Sequence, residues 1–353
     1  MADKAVSVQS LVSTFQKDFG EQAAKYGGNL VDSERIPTGV FPFDLMLGGG
    51  FPRSRVSILW GKESSNKTNL ALMAIANHQR LWPLKTCIFV DVEHSFDPAW
   101  AKLLGVDTES LVVVEPAFAE KVIDMVEGFL GADDVGLIVI DSIAAMITTQ
   151  EAEADATNNR PGGGSLIVGK LVRKTTIAIA EANKNGNFPT LIYINQTRQK
   201  IGGYGDPDKM SGGNAPYFQA NLIVKVLGKN LIENKINKVL PTFKHVSATV
   251  NKYKSPVLAM HCQFDMVLIP HDYFRIGDTK DFNLIRGYLE QLGYFGKAPK
   301  GAGYVMLGEN YPTIKACEEK IFVDRDYGAE VRREMISALT ENQELISQAA
   351  AEE

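Results

Sequence analysis

Three cysteines, Cys87, Cys262 and Cys317, lie far apart with no CxxC pair among them, which excludes both a disulfide framework and a cysteine-built zinc site. The first two sit inside apolar runs that read as core. No apolar run approaches the ~18 residues needed to cross a membrane. A secretory leader pattern is also missing at the N-terminus, so the expected compartment is the cytoplasm, host cytoplasm included. A net charge of −5 lacks the basic excess of a general nucleic-acid binder, so any polyanion site has to be a local basic surface on an acidic protein. What is present is ordinary for a globular chain, with 45% hydrophobic and 22% charged residues. A length of 353 residues holds one large α/β domain with smaller appendages.

The stretch VSILWGKESSNKT, residues 56–68, organises the rest. Val56, Ile58, Leu59 and Trp60 read as a buried strand, a turn follows, and a helix starts near Lys67. Gly61, then Lys62, Glu63, Ser64 and Ser65, then Asn66, Lys67 and Thr68 have the spacing of a phosphate-binding loop with one position changed. That chemistry needs backbone N–H groups curled about a phosphate and the partial positive charge of a helix N-terminus. Lys67 is placed to reach the β- and γ-phosphates, and the Thr68 hydroxyl to ligate Mg²⁺. Asn66 stands where the pattern has a second glycine. The position needs a strained or left-handed backbone with close phosphate approach, and asparagine is the next best non-glycine residue there. The competing reading of this stretch alone is a plain strand–turn–helix.

Residues 8–19 place Val8, Leu11, Val12, Phe15 and Phe19 at helical spacing, as a helix that either folds back on its own domain or docks on a neighbouring subunit. From the loop onward, helix 67–80, strand 86–92, helix 97–104, strand 111–114, helix 119–130, strand 136–140, helix 166–184 and strand 190–195 alternate. Continuous apolar strands in this pattern indicate an α/β core with a mostly parallel central sheet covered on both faces. Strands at about 219–227, 244–251 and 257–265 are expected to extend it antiparallel. Beyond Pro270, helix 282–292, short strands near 304–307 and 313–317, and helix 328–349 read as a small α+β domain with an acidic tail. The predicted organisation is an N-terminal helix/strand arm at 1–33, an ATPase-like core at 34–269 and a small domain at 270–353.

Asp141 ends the apolar strand of LIVIDS, at the edge where such folds hold the Mg²⁺ water shell; taken alone it serves equally as a helix cap. Glu93 follows IFVDV at the same edge and suits the task of polarising a water, against the plainer reading of a surface turn, EHSFDP. Asp97 before Pro98 has a structural explanation as an N-cap, and Trp100 one turn on either stacks a base or fills core. Two long polar, glycine-rich stretches follow strands from this edge: EAEADATNNRPGGGS at 151–165 and IGGYGDPDKMSGGN at 201–214. The second is preceded by Arg198 and Lys200 and carries Gly202, Gly203, Tyr204, Lys209, Gly212 and Gly213. Backbone amides, a few cations and one aromatic suit a single-stranded nucleic-acid backbone.

In matching order, IPTGVFPFDLMLGGGFPRSRVSILWGKESSNKTN, FVDVEHSFDPAWAKLLGVD, LIVIDSIAAM, INQTRQKIGGYGDPDKMSGGNA and VNKYKSP resemble the bacterial RecA recombinase family. The likeness is close over residues 30–265 and looser at the ends. It implies a RecA-like P-loop fold and an ATP-dependent protein that forms a helical filament on single-stranded DNA. It further implies pairing and strand exchange with double-stranded DNA, DNA-stimulated ATP hydrolysis, ATP and Mg²⁺ as cofactors, and no membrane. Single-strand-binding and mediator proteins are candidate partners.

Carried over residue by residue, the resemblance puts the phosphate loop on 61–68 with Asn69 beside it. Adenine contacts fall on Asp97 and on Trp100, where the family usually has tyrosine. The catalytic glutamate falls on Glu93, the magnesium-side aspartate on Asp141, and the γ-phosphate-sensing glutamine on Gln196. The two DNA loops fall on 151–165 and 201–214, with Tyr204 where a loop aromatic is expected and Ser211, Gly212, Gly213 and Asn214 at the exit. Lys252 and Lys254, i and i+2 on a strand and so on one face, match lysines that a neighbouring subunit directs at the γ-phosphate; their plainer reading is two solvent-facing lysines.

Three departures stand out. Asn66 replaces a glycine. The first loop has PGGG and no arginine at its expected exit, although Arg173 and Lys174 match a basic pair one helix later. The secondary DNA-binding cluster is thin, with only Lys225 and Lys229 nearby. Divergence within a kept architecture suits a bacteriophage-encoded or otherwise divergent member. Asn66 also keeps open a nucleotide-binding filament or mediator protein with little hydrolysis.

Overall fold

The computed structural model describes residues 7–19, 34–153, 163–199, 208–233, 235–255, 257–299 and 301–352. The chain opens with helix α1 (Val8–Phe19), strand β1 (Arg35–Ile36), α2 (Phe41–Met46) and β2 (Phe51–Pro52). It then alternates through β3 (Val56–Gly61), α3 (Lys67–Leu81), β4 (Thr86–Asp91), α4 (Pro98–Leu103), β5 (Leu111–Val114), α5 (Ala119–Leu130) and β6 (Val135–Asp141). Next come α6 (Thr149–Glu153), α7 (Gly163–Lys184), β7 (Thr190–Gln199), β8 (Asp208–Met210), α8 (Ala215–Gln219), β9 (Leu222–Leu231), β10 (Phe243–Tyr253) and β11 (His261–Val267). The C-terminal part holds α9 (Phe282–Gln291), β12 (Phe295–Lys297), β13 (Tyr304–Met306), β14 (Glu309–Tyr311), α10 (Ile314–Val323) and α11 (Arg325–Glu352).

The main sheet has the order β11-β10-β9-β3-β7-β6-β4-β5, with β8 paired to the end of β7. Every pairing from β9 to β5 is parallel. β10 pairs antiparallel with both β9 and β11, and β8 pairs antiparallel with β7. This corrects the expected antiparallel extension at its first strand alone, because β9 runs parallel to β3 with Ser57 opposite Leu222 and Trp60 opposite Lys225, while β10 and β11 extend the sheet through antiparallel pairings. Residues 215–219, partly assigned to that strand, instead form α8, with proline in the first turn where its missing N–H does no harm. Residues 314–317 likewise belong to a helix, α10. Thr313 Oγ1 accepts the Ala316 N–H at 3.1 Å as an N-cap, and Ile314, Cys317 and Ile321 recur at helical spacing.

Side-chain alternation along the parallel strands builds two cores. Leu59, Cys87, Phe89, Leu137, Val139, Ile192 and Ile194 face one side with α3. Ile58, Trp60, Ile88, Val90, Ile138, Ile140, Leu191 and Tyr193 face the other with α5 and α7. Burial on both faces is why these strands read as unbroken apolar runs. A third cluster joins Phe41, Phe243 and Val267 to Phe282, Ile285, Phe322 and Met335 of the C-terminal helices. Among the described residues no helix is long and apolar enough to cross a membrane.

His78, on the buried face of α3, carries a pH prediction. Its ring is fully buried, with Nδ1 3.2 Å from Cys87 Sγ. Burial, then the charges of Arg53 and Lys85, lower its pKa from 6.5 to about 4. The unfolded chain takes up this proton below 6.5 and the folded one only near 4, so stability falls as pH drops through that window. The loss reaches about 3 kcal/mol. Urea unfolding of the wild type and His78→Leu at about pH 7 and about pH 4.5 is expected to show the larger acid loss in the wild type. Equal losses would refute the assignment.

Candidate functional site

Parallel strands end at a common edge, and register decides which residues meet there. Gly61 of β3 lies opposite Gln196 of β7. Asp91 of β4 lies opposite Asp141 of β6, and Glu93 follows β4 by two residues. Open α/β sheets bind their ligands in the crevice at this carboxyl edge.

The loop between β3 and α3 is built by close approach and by left-handed residues. A Cβ on Gly61 would stand 2.0 Å from the Val226 carbonyl oxygen, so β9 leaves room for glycine alone. Ser64 (φ 56) and Asn66 (φ 87) are both left-handed, which costs an L-residue roughly 1 kcal/mol. Asn66 therefore adopts the conformation for which a glycine was expected, and its amide is held on both sides. Its Oδ1 accepts from Asn69 Nδ2 at 2.8 Å and its Nδ2 donates to Met266 Sδ at 3.5 Å. Asn66 gives α3 no side-chain cap, so first-turn N–H groups remain for an anion.

Lys67 is buried and donates to the Lys62 carbonyl at 2.7 Å, the Gly61 carbonyl at 3.2 Å and Ser65 Oγ at 3.2 Å. All three are neutral loop oxygens, so its charge is left for a ligand. Burial holds its pKa below the ordinary lysine value, opposed by Asp141, Glu93 and Glu63. Thr68 Oγ1 donates to Asp141 Oδ2 at 2.6 Å. Burial pushes the Asp141 carboxyl up from 3.8 to about 6, against the Thr68 hydrogen bond. Asp91, which the sequence reading missed, keeps a buried Oδ1 with no hydrogen-bond partner. A hydroxyl and two buried carboxylates beside a cationic loop fit a phosphate chain with a hard divalent cation.

Glu93 Oε1 accepts from Gln196 Nε2 at 2.8 Å and from Ser142 Oγ. Ser142 was also missed, although it directly follows Asp141. Asp97 caps α4, its Oδ1 accepting the N–H groups of Ala99 at 2.8 Å and Trp100 at 3.1 Å. Trp100 packs partly buried against the core, and its Nε1 donates to Asn69 Oδ1 at 2.8 Å. Lys62, Glu63 and Ser64 are exposed along the loop, and Ser65 is buried beneath it.

The two long glycine-rich stretches have more structure at their flanks than expected. Residues 151–153 belong to α6, and 163–165 open α7. Residues 208–210 form β8, which places Arg198 opposite Lys209, both exposed. Lys200, Gly202, Gly203 and Tyr204 lie outside the described residues. Arg173 is exposed on α7, while Lys174 pairs with Glu127 at 2.5 Å. At the exit, Ser211 Oγ donates to the Gln196 carbonyl at 3.1 Å. Gly212 (φ 90) and Gly213 (φ 73) turn the chain into Asn214 and α8. Gln196 thus touches the Glu93 carboxylate through its side chain and the exit of 201–214 through its backbone.

Lys252 lies in β10 and Lys254 just past its end, and both reach backbone carbonyls of α8. Lys252 donates to the Phe218 carbonyl at 2.9 Å and to that of Tyr217, and Lys254 to that of Gln219 at 3.4 Å. Lys252 lies opposite Ile223, which lies opposite Ile58, near the start of β3. That is three residues, about 10 Å, before the phosphate loop and two strands away.

Two residues near the loop escaped the sequence reading. Lys244 of β10 donates to the Ser64 carbonyl at 2.7 Å. Gly228 of β9 runs beneath Ser65, where a Cβ would stand 2.9 Å from the Ser65 backbone. Gly228→Ala is expected to cost about 1–3 kcal/mol of stability and to displace the loop. Denaturant unfolding together with nucleotide titration checks both; an unchanged loop affinity would show that the loop absorbs the added methyl.

A left-handed loop leading into an uncapped helix, at the carboxyl edge of a mostly parallel sheet with an antiparallel margin, defines a P-loop protein of the RecA-like class. The model of the RecA N-terminal domain family matches residues 6–268. Protein RecA of Rhizobium etli is 30% identical over 351 residues, 98% of this chain and 91% of that protein. Protein RecA of Cereibacter sphaeroides is 32% identical over 296 residues, 82% of this chain and 83% of its own length. Protein RecA of Ruminococcus albus is 32% identical over 295 residues, 82% of this chain and 71% of its own length. The chain belongs to the RecA family.

Proposed function

We propose that this protein is an ATP-dependent recombinase that assembles as a helical filament on single-stranded DNA and catalyses homologous pairing and strand exchange, hydrolysing ATP in response to DNA. The observation that carries the reading is the 2.8 Å hydrogen bond from Gln196 to Glu93. It ties the carboxylate at the nucleotide edge to the strand that leads into 201–214.

ATP with Mg²⁺ supplies the phosphoanhydride whose cleavage drives release from DNA. The amides of 62–68 and the Lys67 ammonium hold phosphate oxygens, and Thr68 with Asp141 forms the side that takes the metal. Ser142 and Gln196 fix the orientation of the Glu93 carboxylate, which orients water as a general base. Trp100 offers an aromatic face beside α3, with Asp97 fixing the turn that presents it. Arg173, Arg198 and Lys209 supply exposed cations for a DNA backbone, alongside the amides of Gly212 and Gly213. Lys252 and Lys254, remote from their own phosphate loop, act on a neighbouring copy in the filament.

The test is ATP hydrolysis with and without single-stranded DNA, beside electron microscopy of the DNA complex. DNA-stimulated turnover on filaments is expected. DNA-bound filaments without turnover would leave a nucleotide-binding mediator, the reading that Asn66 kept open. Failure to bind DNA with ATP present would refute both.

A further inference from the structure

Asn66 and Trp100, two positions where this site departs from its family's pattern, are joined through one residue between them. Trp100 Nε1 donates to Asn69 Oδ1 at 2.8 Å, Asn69 Nδ2 donates to Asn66 Oδ1 at 2.8 Å, and Asn66 Nδ2 donates to Met266 Sδ at 3.5 Å. The chain runs from α4 across the first turn of α3, through the phosphate loop and onto β11.

Its direction is forced by chemistry. An indole N–H only donates, so Asn69 must turn its oxygen to Trp100 and its NH₂ to Asn66. Asn66 must then turn its oxygen to Asn69 and its NH₂ to the thioether. Hydrogen bonds aligned in this way polarise one another. Asn66 is 5% exposed, and Asn69 and Trp100 are partly buried, so water competes little with the chain. A phenol hydroxyl at position 100 would both donate and accept and so set no direction, and a glycine at 66 would offer no acceptor.

We propose that Asn69 is a positioning residue that couples Trp100 to the phosphate loop through Asn66, so that the way the indole is held sets how the loop closes on phosphate. Asparagine at 66 is then a fixed part of a polyphosphate site, and not a weakened glycine. The proposal rests on the reading of 61–68 as the phosphate-binding loop.

Inorganic tripolyphosphate is the discriminating probe, because it has no base to stack. The full chain and the variants N66G, N69A, W100F and K67A are titrated by calorimetry with tripolyphosphate and with ATP. Phenylalanine keeps an aromatic face and loses only the N–H, so a W100F effect on tripolyphosphate has to travel through Asn69 and Asn66. Each of N66G, N69A and W100F is expected to weaken tripolyphosphate binding about three- to tenfold, the range of one neutral hydrogen bond. In the N69A background W100F is expected to add nothing, since the two changes cut one chain.

Wild-type tripolyphosphate affinity in W100F or N69A, additive losses, or tighter binding by N66G would overturn the proposal while leaving the phosphate site intact. Binding of neither ligand by the wild type, or undiminished binding by K67A, would remove the phosphate-site reading and the proposal with it. Unfolding midpoints are recorded for every variant. Should N69A not fold, the same cycle is run with W100F and N66G.

Discussion

Lys67→Ala is expected to lower ATP turnover about 10²–10³-fold, the usual consequence of deleting one preorganised charge-stabilising donor. Nucleotide affinity should fall with it, because on the proposed reading the ammonium would serve the bound phosphates before reaction as well as during it. The same change should leave stability nearly untouched. In the free protein the ammonium is held by three neutral oxygens of its own loop, and burial already disfavours its charge. Removing it exchanges a desolvated cation for a methyl group, and the Lys62 carbonyl belongs to an exposed residue that water can reach. Turnover, nucleotide titration and a thermal melt on one preparation separate these effects. Retention of more than a tenth of the wild-type turnover would show that the loop does not serve the reaction.

Glu93→Gln should divide the site differently. Turnover is expected to fall about 10²–10⁴-fold, the range for a lost general base, while nucleotide affinity stays within about threefold. The geometry is the reason. Glu93 Oε1 accepts from both Ser142 and Gln196, and a glutamine carbonyl can accept the same two hydrogen bonds. The side chain therefore stays where it is and loses only its basicity. Single-turnover hydrolysis alongside titration tests this. A variant that hydrolyses normally would take the base role from Glu93, and one that loses affinity in step with turnover would make Glu93 part of the binding surface.

The site was most legible where its parts are neighbours in sequence or at strand ends. Lys67 and Thr68 follow a buried strand at fixed spacing, and Asp141 and Glu93 close apolar runs, so local pattern alone brought them forward. Contacts made across long separations carried no such signal. Lys244 reaches Ser64 over 180 residues, and Met266 closes the Asn66 chain over 200. Register does the rest, since nothing local to INQTR says that Gln196 will lie opposite Gly61. The same limit explains β9. Three closely spaced apolar strands look like a meander, but β9 follows α8, a short helix with Pro216 in its first turn, and pairs parallel with β3. Near 313–317 a short strand was expected, but Thr313 turns its hydroxyl to cap a helix instead.

The placement of Lys252 and Lys254 bears on how copies of this chain can join. They hold the carbonyl end of α8 at one margin of the sheet, and the phosphate loop stands at the other. On the proposed reading a head-to-tail contact would deliver one copy's pair to the next copy's loop, and repetition of that contact without closure into a ring would give a polymer with two unlike ends. At one end a loop goes unserved, and at the other a lysine pair has nothing to serve. On that proposal the polymer would be directional from its second member onward, with hydrolysis slowest at the subunit whose loop goes unserved.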